Sequence, residues 1–450
     1  MKTKKTIAAV MAAVLLGSLT ACGGSSQTAS SSAPAAESSA AAASSAAESS
    51  ENDAPAPVPA QGSDGIPADD TWQPADASLK LPALNLGMTT DEMCRRAVLN
   101  VGNRARLANV MKRAQNKEKI TFGVIGGSIT QGTGAQSSQE TYAFRSMAWW
   151  VKAFPDAANK LGYVNAGIGA TGSYIGVHRA ERDLLAEKPD VVIVEFSVND
   201  TDPLRDLQSY DSLVRRILEQ DNQPAVILLF MTQDNGTSLY ETHKKIGEAY
   251  DLPMISYKNA VMPEIKAGTF TWKDISPDNI HPNSNGHGIA AELLWSYFNS
   301  VLADLDNIDT SDLSFTAEPV SDDRYQQPKI AGADVLTAED VTGFAEAEVN
   351  SSFPHNWKTE TAGSITFHAE STNIGVLYQR TIDGKSGKYE VWVDGEKKKT
   401  LDGDFPGGWG NYAEAAEIMT GDAPAEHEIT IRAAEGNKAD GFTLLGLLLS

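Results

Sequence analysis

"GVIGGSITQG" runs from Gly123 to Gly132. With Ile120 to Phe122 in front of it, an apolar strand runs into Gly126-Gly127, and the next residue is a serine. Glycines allow backbone angles that other residues resist, so the pair marks a corner. Three readings fit it: a phosphate cradle, a plain strand-to-helix turn, or a nucleophilic hydroxyl held out of a sheet. A phosphate loop needs a lysine after its glycines, and none follows here. What the chain delivers to neighbouring corners decides between the other two.

Apolar runs of strand length recur from Ile120 onward: "ITFGVI", "GYVNAGI", "DVVIVEFSV", "AVILLFM" and "PMISY". The third and fourth are nearly continuous, as in strands covered on both faces. Helical periods lie between them. Ala143, Met147, Trp150, Val151 and Phe154 share one face. "GVHRAERDLLAEKP", "LRDLQSYDSLVRRILEQ" and "TSLYETHKKIGEAY" fill later gaps, and "GHGIAAELLWSYFNSVLADL" reads as the last helix. Strand and helix in alternation predict an α/β fold, a parallel sheet with helices on both faces. Ligands of such sheets sit at the C-terminal ends of the strands, where Ser128 stands. Upstream, "TDEMCRRAVLNVGNRARLANVMKRAQ" reads as helical and packed on the sheet.

Past about Leu305 the pattern changes. "SITFHAE", "NIGVLYQR", "KYEVWVDGEKKKTL", "HEITIRAAE" and "FTLLGLLL" alternate or run apolar, with a turn signal at Asp394-Gly395. Residues 306–450 are therefore expected to form a small all-β sandwich, an accessory domain after an α/β domain at 71–305. Trp357, Trp392 and Trp409 lie in it, and Trp409 sits in the glycine-flanked "FPGGWGNY", where a ring could stack on sugar. Trp392 alternates with Val391 and Val393; which of the two faces is buried is open.

A nucleophilic serine needs a base, a group to orient the base, and donors for the oxyanion. Of seven histidines only His281 has an aspartate three residues before it, in "DNIH", Asp278 to His281. At that spacing in a turn an aspartate can reach the imidazole and fix its tautomer. The plain alternative is a surface histidine held by Asn279 or Asn283. "VVIVEFSVND" ends a buried strand with Asn199, whose amide could donate to developing negative charge or could merely cap a helix. Backbone N–H groups near Gly169 and at Ser128 itself are further candidate donors. "GIGATG", Gly167 to Gly172, also matches a dinucleotide fingerprint, but on the second strand of the segment rather than the first.

These residues together resemble the SGNH hydrolase superfamily, the GDSL-type esterases. "GGSIT" resembles its serine block, with glycine in place of the usual aspartate before Ser128. "NAGIGATGS" resembles the glycine block, and "SVND" the asparagine block, with Ser197 where glycine is common. "DNIHPN" resembles the Asp-x-x-His block. The resemblance spans residues 120 to 290. It implies a flavodoxin-like sheet and ester hydrolysis with no metal or organic cofactor. It implies Ser128, His281 and Asp278 as catalytic residues and Ser128, Gly169 and Asn199 as the oxyanion hole, with Gly169 preferred over Gly167.

The N-terminus speaks to location. Lys2, Lys4 and Lys5 precede "IAAVMAAVLLGSL", a basic start and a short apolar core. That is a secretory signal, residues 1–21, too short for an ordinary membrane span. Its ending, Leu19-Thr20-Ala21-Cys22, resembles the lipobox of bacterial lipoproteins, which implies acylation of Cys22. Residues 22–70 are Ser, Ala, Glu and Pro with almost no large apolar side chain, and read as a disordered tether. The expected location is outside the cytoplasm, lipid-anchored to the bacterial cell membrane. The only other cysteine, Cys94, cannot make an intramolecular disulfide with an acylated Cys22. A formal net charge of −22 argues against nucleic acid as a partner.

The expected substrate is an acylated carbohydrate, and the expected reaction the removal of short acyl, chiefly acetyl, groups. An O-acyltransferase or lipase-type esterase with the same serine, and a non-catalytic solute- or glycan-binding lipoprotein, are the alternatives. Phe270 and Trp272, in the loop before His281, are expected to close a small acyl pocket.

Overall fold

The computed structural model describes residues 86–450. The signal at 1–21, the lipidation site Cys22, the tether at 22–70 and the first residues of the 71–305 segment lie outside the described residues.

Six strands form the first sheet: β1 (Val98–Asn100), β2 (Ile120–Gly126), β3 (Leu161–Gly167), β4 (Val191–Glu195), β5 (Ala225–Phe230) and β6 (Met254–Ser256). Their order is β1-β6-β5-β4-β2-β3, parallel throughout except that β1 runs antiparallel to β6. The chain reverses its winding direction between β2 and β4, the point at which such sheets open a crevice for ligands. Every residue of β2, β4 and β5 is buried, which is why these strands read as unbroken apolar runs.

Alternate strand residues feed two cores. Phe122, Val124, Val191, Ile193, Ile227 and Leu229 face one helical layer: α1 (Asp91–Ala97), α2 (Ala105–Gln115), α4 (Tyr142–Ala153), α8 (Tyr257–Ala267) and α10 (Ser284–Ala303). Val192, Val194, Val226, Leu228 and Phe230 face the other: α5 (Ser173–Asp183), α6 (Arg205–Leu218) and α7 (Tyr240–Ala249). Two four-residue helices, α3 (Ser128–Gln131) and α9 (Trp272–Ile275), lie beside the strand ends. The segment read as one helical stretch before β2 is instead α1, β1 and α2. Asn100 and Val98 pair with Met254 and Ile255, so tertiary pairing at the sheet edge overrides local helix preference.

Residues 329–449 contribute nine strands of one antiparallel sheet, β7 (Lys329–Ala331), β8 (Ala338–Thr342), β9 (Ala345–Ala347), β10 (Asn356–Thr359), β11 (Ser364–Arg380), β12 (Lys388–Val393), β13 (Glu396–Asp402), β14 (Tyr412–Ala433) and β15 (Phe442–Leu449). Two runs read as separate strands, "SITFHAE" and "NIGVLYQR", are the two halves of β11. The register slips between Ser371 and Asn373 and again between Ile374 and Gly375. Ile365 and Phe367 before the slip and Ile374 and Val376 after it enter one core, so the irregularity switches parity while the same core stays covered. Asp394 and Gly395 both have positive φ (52° and 76°), as the turn signal between β12 and β13 requires. Val391 and Val393 face inward; Trp392 faces out, with the Arg432 guanidinium 4.0 Å above its ring.

The β part lies against α5. Leu377, Ala413, Leu445 and Leu448 join Tyr174, Ile175 and Val177 in a common cluster. A Cβ on Gly375 would come within 2.2 Å of the Tyr174 hydroxyl, so only glycine permits this approach. The helix that leads away from the glycine block is thus held on both sides.

Candidate active site

Ser128 follows β2 directly, as the first residue of α3, and is 9% exposed. Its Oγ lies 3.0 Å from His281 Nε2, and His281 Nδ1 lies 2.8 Å from Asp278 Oδ2. Asp278 Oδ1 accepts the N–H groups of Ile280 and His281, each at 2.7 Å. With the carboxylate on Nδ1, the proton belongs there and Nε2 is free to accept from the serine hydroxyl. Partial burial pushes the Asp278 carboxyl upward. The hydrogen bond and charge of His281, with the two backbone N–H groups, outweigh it and hold Asp278 below the ordinary aspartate value. Asn279 and Asn283 do not hold the ring; Asn283 caps α10 instead.

The turn carrying this pair is braced from beneath. Ser276 Oγ lies 2.7 Å from the Asp278 carbonyl and 2.5 Å from that of His281, its one proton shared between them. Trp272 Nε1 donates to Asp278 O at 2.6 Å, and Phe270 and Trp272 both pack on the core. Trp272 thereby supports the Asp278 turn.

Glycines set the spacing around the hydroxyl. A Cβ on Gly127 would lie 2.1 Å from Asn199 Oδ1, so the missing methyl is what lets the Asn199 amide sit beside Ser128. A Cβ on Gly167 would strike the α3 backbone at Gln131 N, 2.2 Å away. Gly169 stands nearer the nucleophile, its Cβ position 3.9 Å from Ser128 Cβ. Gly167 thus seats α3 on β3, and Gly169 faces the serine. Among the described residues, neither the Ser128 nor the Gly169 N–H donates to a backbone acceptor. Asn199 Oδ1 is buried without a partner. Ser128, His281, Asp278, Asn199 and Gly169 are thereby assembled at the C-terminal edge, at the β2/β4 reversal.

Buried polar groups that the sequence did not single out fix α3 from below. Thr130 Oγ1 donates to Glu195 Oε2 at 3.2 Å and lies 2.7 Å from the Tyr142 hydroxyl. Burial raises Glu195 to about 8, with Asp200 adding to the shift and the Thr130 hydrogen bond opposing it, so the carboxyl is protonated at neutral pH. Arg179, fully buried in α5, donates to Ala166 O at 2.7 Å and Gly126 O at 3.0 Å, joining the ends of β3 and β2. Glu195 ends the strand that follows the "GIGATG" turn and is buried against Thr130, facing away from any ligand at that turn.

Comparison with known proteins gives the site its relatives. The profile of the GDSL-like lipase/acylhydrolase family matches residues 124–289. A solved two-domain esterase (CEX) active on acetylated mannans, crystallised with mannopentaose, is 33% identical with a TM-score of 0.71, over 79% of this chain and 97% of that one. A second structure of a two-domain esterase (CEX) active on acetylated mannans is 31% identical with a TM-score of 0.73, over 79% of this chain and 98% of that one. Comparison with curated proteins gave no match. Likeness that runs through both the α/β and the all-β parts leads to one conclusion: the chain belongs to the GDSL-like lipase/acylhydrolase family and is a serine esterase.

Proposed function

We propose that this chain is a cell-surface enzyme that removes acetyl groups from a carbohydrate, with Ser128 as nucleophile. The hydrogen-bonded run from Ser128 Oγ through His281 to Asp278 carries the reading. His281 Nε2 takes the hydroxyl proton as Oγ attacks the ester carbonyl. The carbonyl oxygen becomes an oxyanion that accepts from the N–H groups of Ser128 and Gly169 and from the Asn199 amide. As the tetrahedral intermediate collapses, His281 returns the proton to the departing sugar oxygen. Water then attacks the acetyl-serine, its proton passing to His281 and on to Ser128 Oγ as acetate leaves. Asp278 keeps the ring in the working tautomer and stabilises the imidazolium.

The carbohydrate assignment is supported by the likeness to an esterase active on acetylated mannans. Trp409, 65% exposed and stacked beside Tyr412 at 5.2 Å, is a ring of the kind that sugars lie on. The Leu19–Cys22 ending supports anchoring through Cys22; mass spectrometry of the protein from its host, with no lipid on Cys22, would reject the anchor. The substrate reading is tested by acetate release from acetylated mannan and from an aryl acetate. Both should be cleaved, and Ser128→Ala should cleave neither. Cleavage of the aryl ester with no acetate from any acetylated saccharide would overturn the carbohydrate assignment.

A further inference from the structure

A second aspartate–histidine pair lies beside the proposed oxyanion hole, and the reaction above does not use it. Asp200 follows Asn199 in the chain and is buried; His243, on α7, is completely buried. His243 Nε2 stands 2.9 Å from Asp200 Oδ2. The imidazole lies flat on the Tyr210 ring of α6, with centroids 3.8 Å apart and planes 5° from parallel. Asp200 Oδ1 accepts the Ser173 N–H at 2.7 Å. Ser173 is the first residue of α5, immediately after the turn that carries Gly169.

One carboxylate therefore joins two chain segments beside Ser128. On one side is the turn after β4, where the N–H groups of Asn199 and Asp200 both donate to Phe196 O at 3.0 Å. On the other is the start of α5. A Cβ on Gly172 would approach Asp200 Oδ1 to 2.5 Å, so the helix start is drawn in as far as glycine allows. The two segments bear two of the three proposed oxyanion donors, Asn199 and Gly169. A hydrogen bond to one carboxylate leaves its other oxygen to be satisfied, and inside a protein an unsatisfied one is costly. His243 supplies that partner, and the Tyr210 stack fixes the plane of the ring.

Both side chains are buried, so neither touches substrate. From this arrangement we infer that His243 is a positioning residue: through Asp200 it sets the distance between the Asn199 amide and the Gly169 N–H. The inference rests on the mechanism proposed above. A donor misplaced by an ångström costs far more in turnover than in ground-state binding, because the negative charge it meets exists only in the transition state.

The test uses the whole purified protein and an aryl acetate. His243→Phe keeps a flat ring against Tyr210 and removes the donor. Its kcat should fall about tenfold to a hundredfold, with KM changed less than about twofold. His243→Gln, whose amide can donate from nearly the same place, should recover most of the loss. In an Asn199→Ala background, where only the Gly169 N–H is left to be positioned, His243→Phe should cost clearly less than it does in the wild type. Asp200→Ala removes the bridging carboxylate itself and carries the same background comparison if the Phe variant fails to fold. A folded His243→Phe or Asp200→Ala variant with wild-type kcat overturns the inference. So does a loss of the same size with and without Asn199. Failure of the mechanism itself is read separately, as persistent activity in Ser128→Ala.

Discussion

Gly127→Ala adds one methyl group, and the structure says what it meets. The new Cβ would lie 2.1 Å from Asn199 Oδ1 and 3.1 Å from Nδ2, where real contacts of a Cβ essentially never fall below 3.0 Å. Gly127 has φ −87°, so alanine meets no left-handed backbone barrier, and the conflict is one of space alone. The Asn199 amide is a side-chain end and can retreat, but by about 1 Å, away from the serine. A displacement of that order at a reacting centre costs about 10²-fold, and outright loss of one oxyanion donor costs about 10²–10³-fold. The kcat on an aryl acetate should therefore fall by about 10²–10³, or about 2.7–4 kcal/mol of barrier. Stability should drop by only about 1–3 kcal/mol, the usual scale for overpacking, leaving a folded protein to assay.

The decisive comparison is the double mutant. Once Asn199 is alanine the methyl has room, so Gly127→Ala should add little to Asn199→Ala. The two losses should be far from multiplicative. Wild-type kcat in a folded Gly127→Ala variant would refute the reasoning, and so would losses that multiply. Either outcome would mean that the amide beside Gly127 is not a donor in the transition state.

Ser128→Ala and His281→Ala should each abolish nearly all turnover, and the double variant should be hardly slower than either, because the two act as a unit; additive losses would break the proposed relay. Glu195 holds its proton to about pH 8 in the fold against an ordinary value of 4.5, so the folded chain binds more protons than the unfolded between those limits. Stability should therefore decline as pH rises through that window, by at most about 1.4 kcal/mol per pH unit. Glu195→Gln should remove this decline, its advantage over wild type growing with pH and levelling off above about 8; denaturant titrations showing a constant difference from pH 5 to 9 would contradict it. Trp409→Ala should weaken acetate release from acetylated mannan, read in KM, and leave aryl acetate unchanged; equal loss on both would place the ring in the fold and not against the sugar.

The residues of the candidate site were legible because each is tied to a local event. Ser128 and Asn199 end buried strands, and Asp278 and His281 share one turn, so type and spacing suffice without knowledge of the fold. Their supports are tied to nothing local. Asp200 and His243 stand on separate elements and meet only because the turn after β4 and α7 share one end of the sheet. Arg179 has only Asp183 as a partner on its own helix, and is buried because its guanidinium reaches the ends of β3 and β2. Nothing among the neighbours of Trp272 in the sequence signals that its indole N–H is claimed by Asp278 O.

The all-β part shows why period alone ran out. "YAEAAEIMTG", the first half of β14, carries no strand alternation that composition would reveal. It is a strand because Ala413 to Thr420 pair with Gln379 to Asn373 of β11. Its small side chains have a reason of their own: Ala413 faces the cluster shared with α5, and Ala416 the core of the sheet. The run "FTLLGLLL" is apolar at nearly every place for a related cause. Leu444, Leu447 and Leu449 fill the sheet's own core, while Leu445 and Leu448 meet the α/β part. The skipped pairing at Leu445, opposite Leu377 and Tyr378, lets the alternation resume after Gly446 on the correct faces. In β4 the same kind of run arises from two layers of helices. A continuous apolar strand therefore reports that both faces are covered and leaves open by what. In β15 the second cover is the helix that begins at the glycine block, so the all-β part is built against the same α5 whose first N–H is held by Asp200.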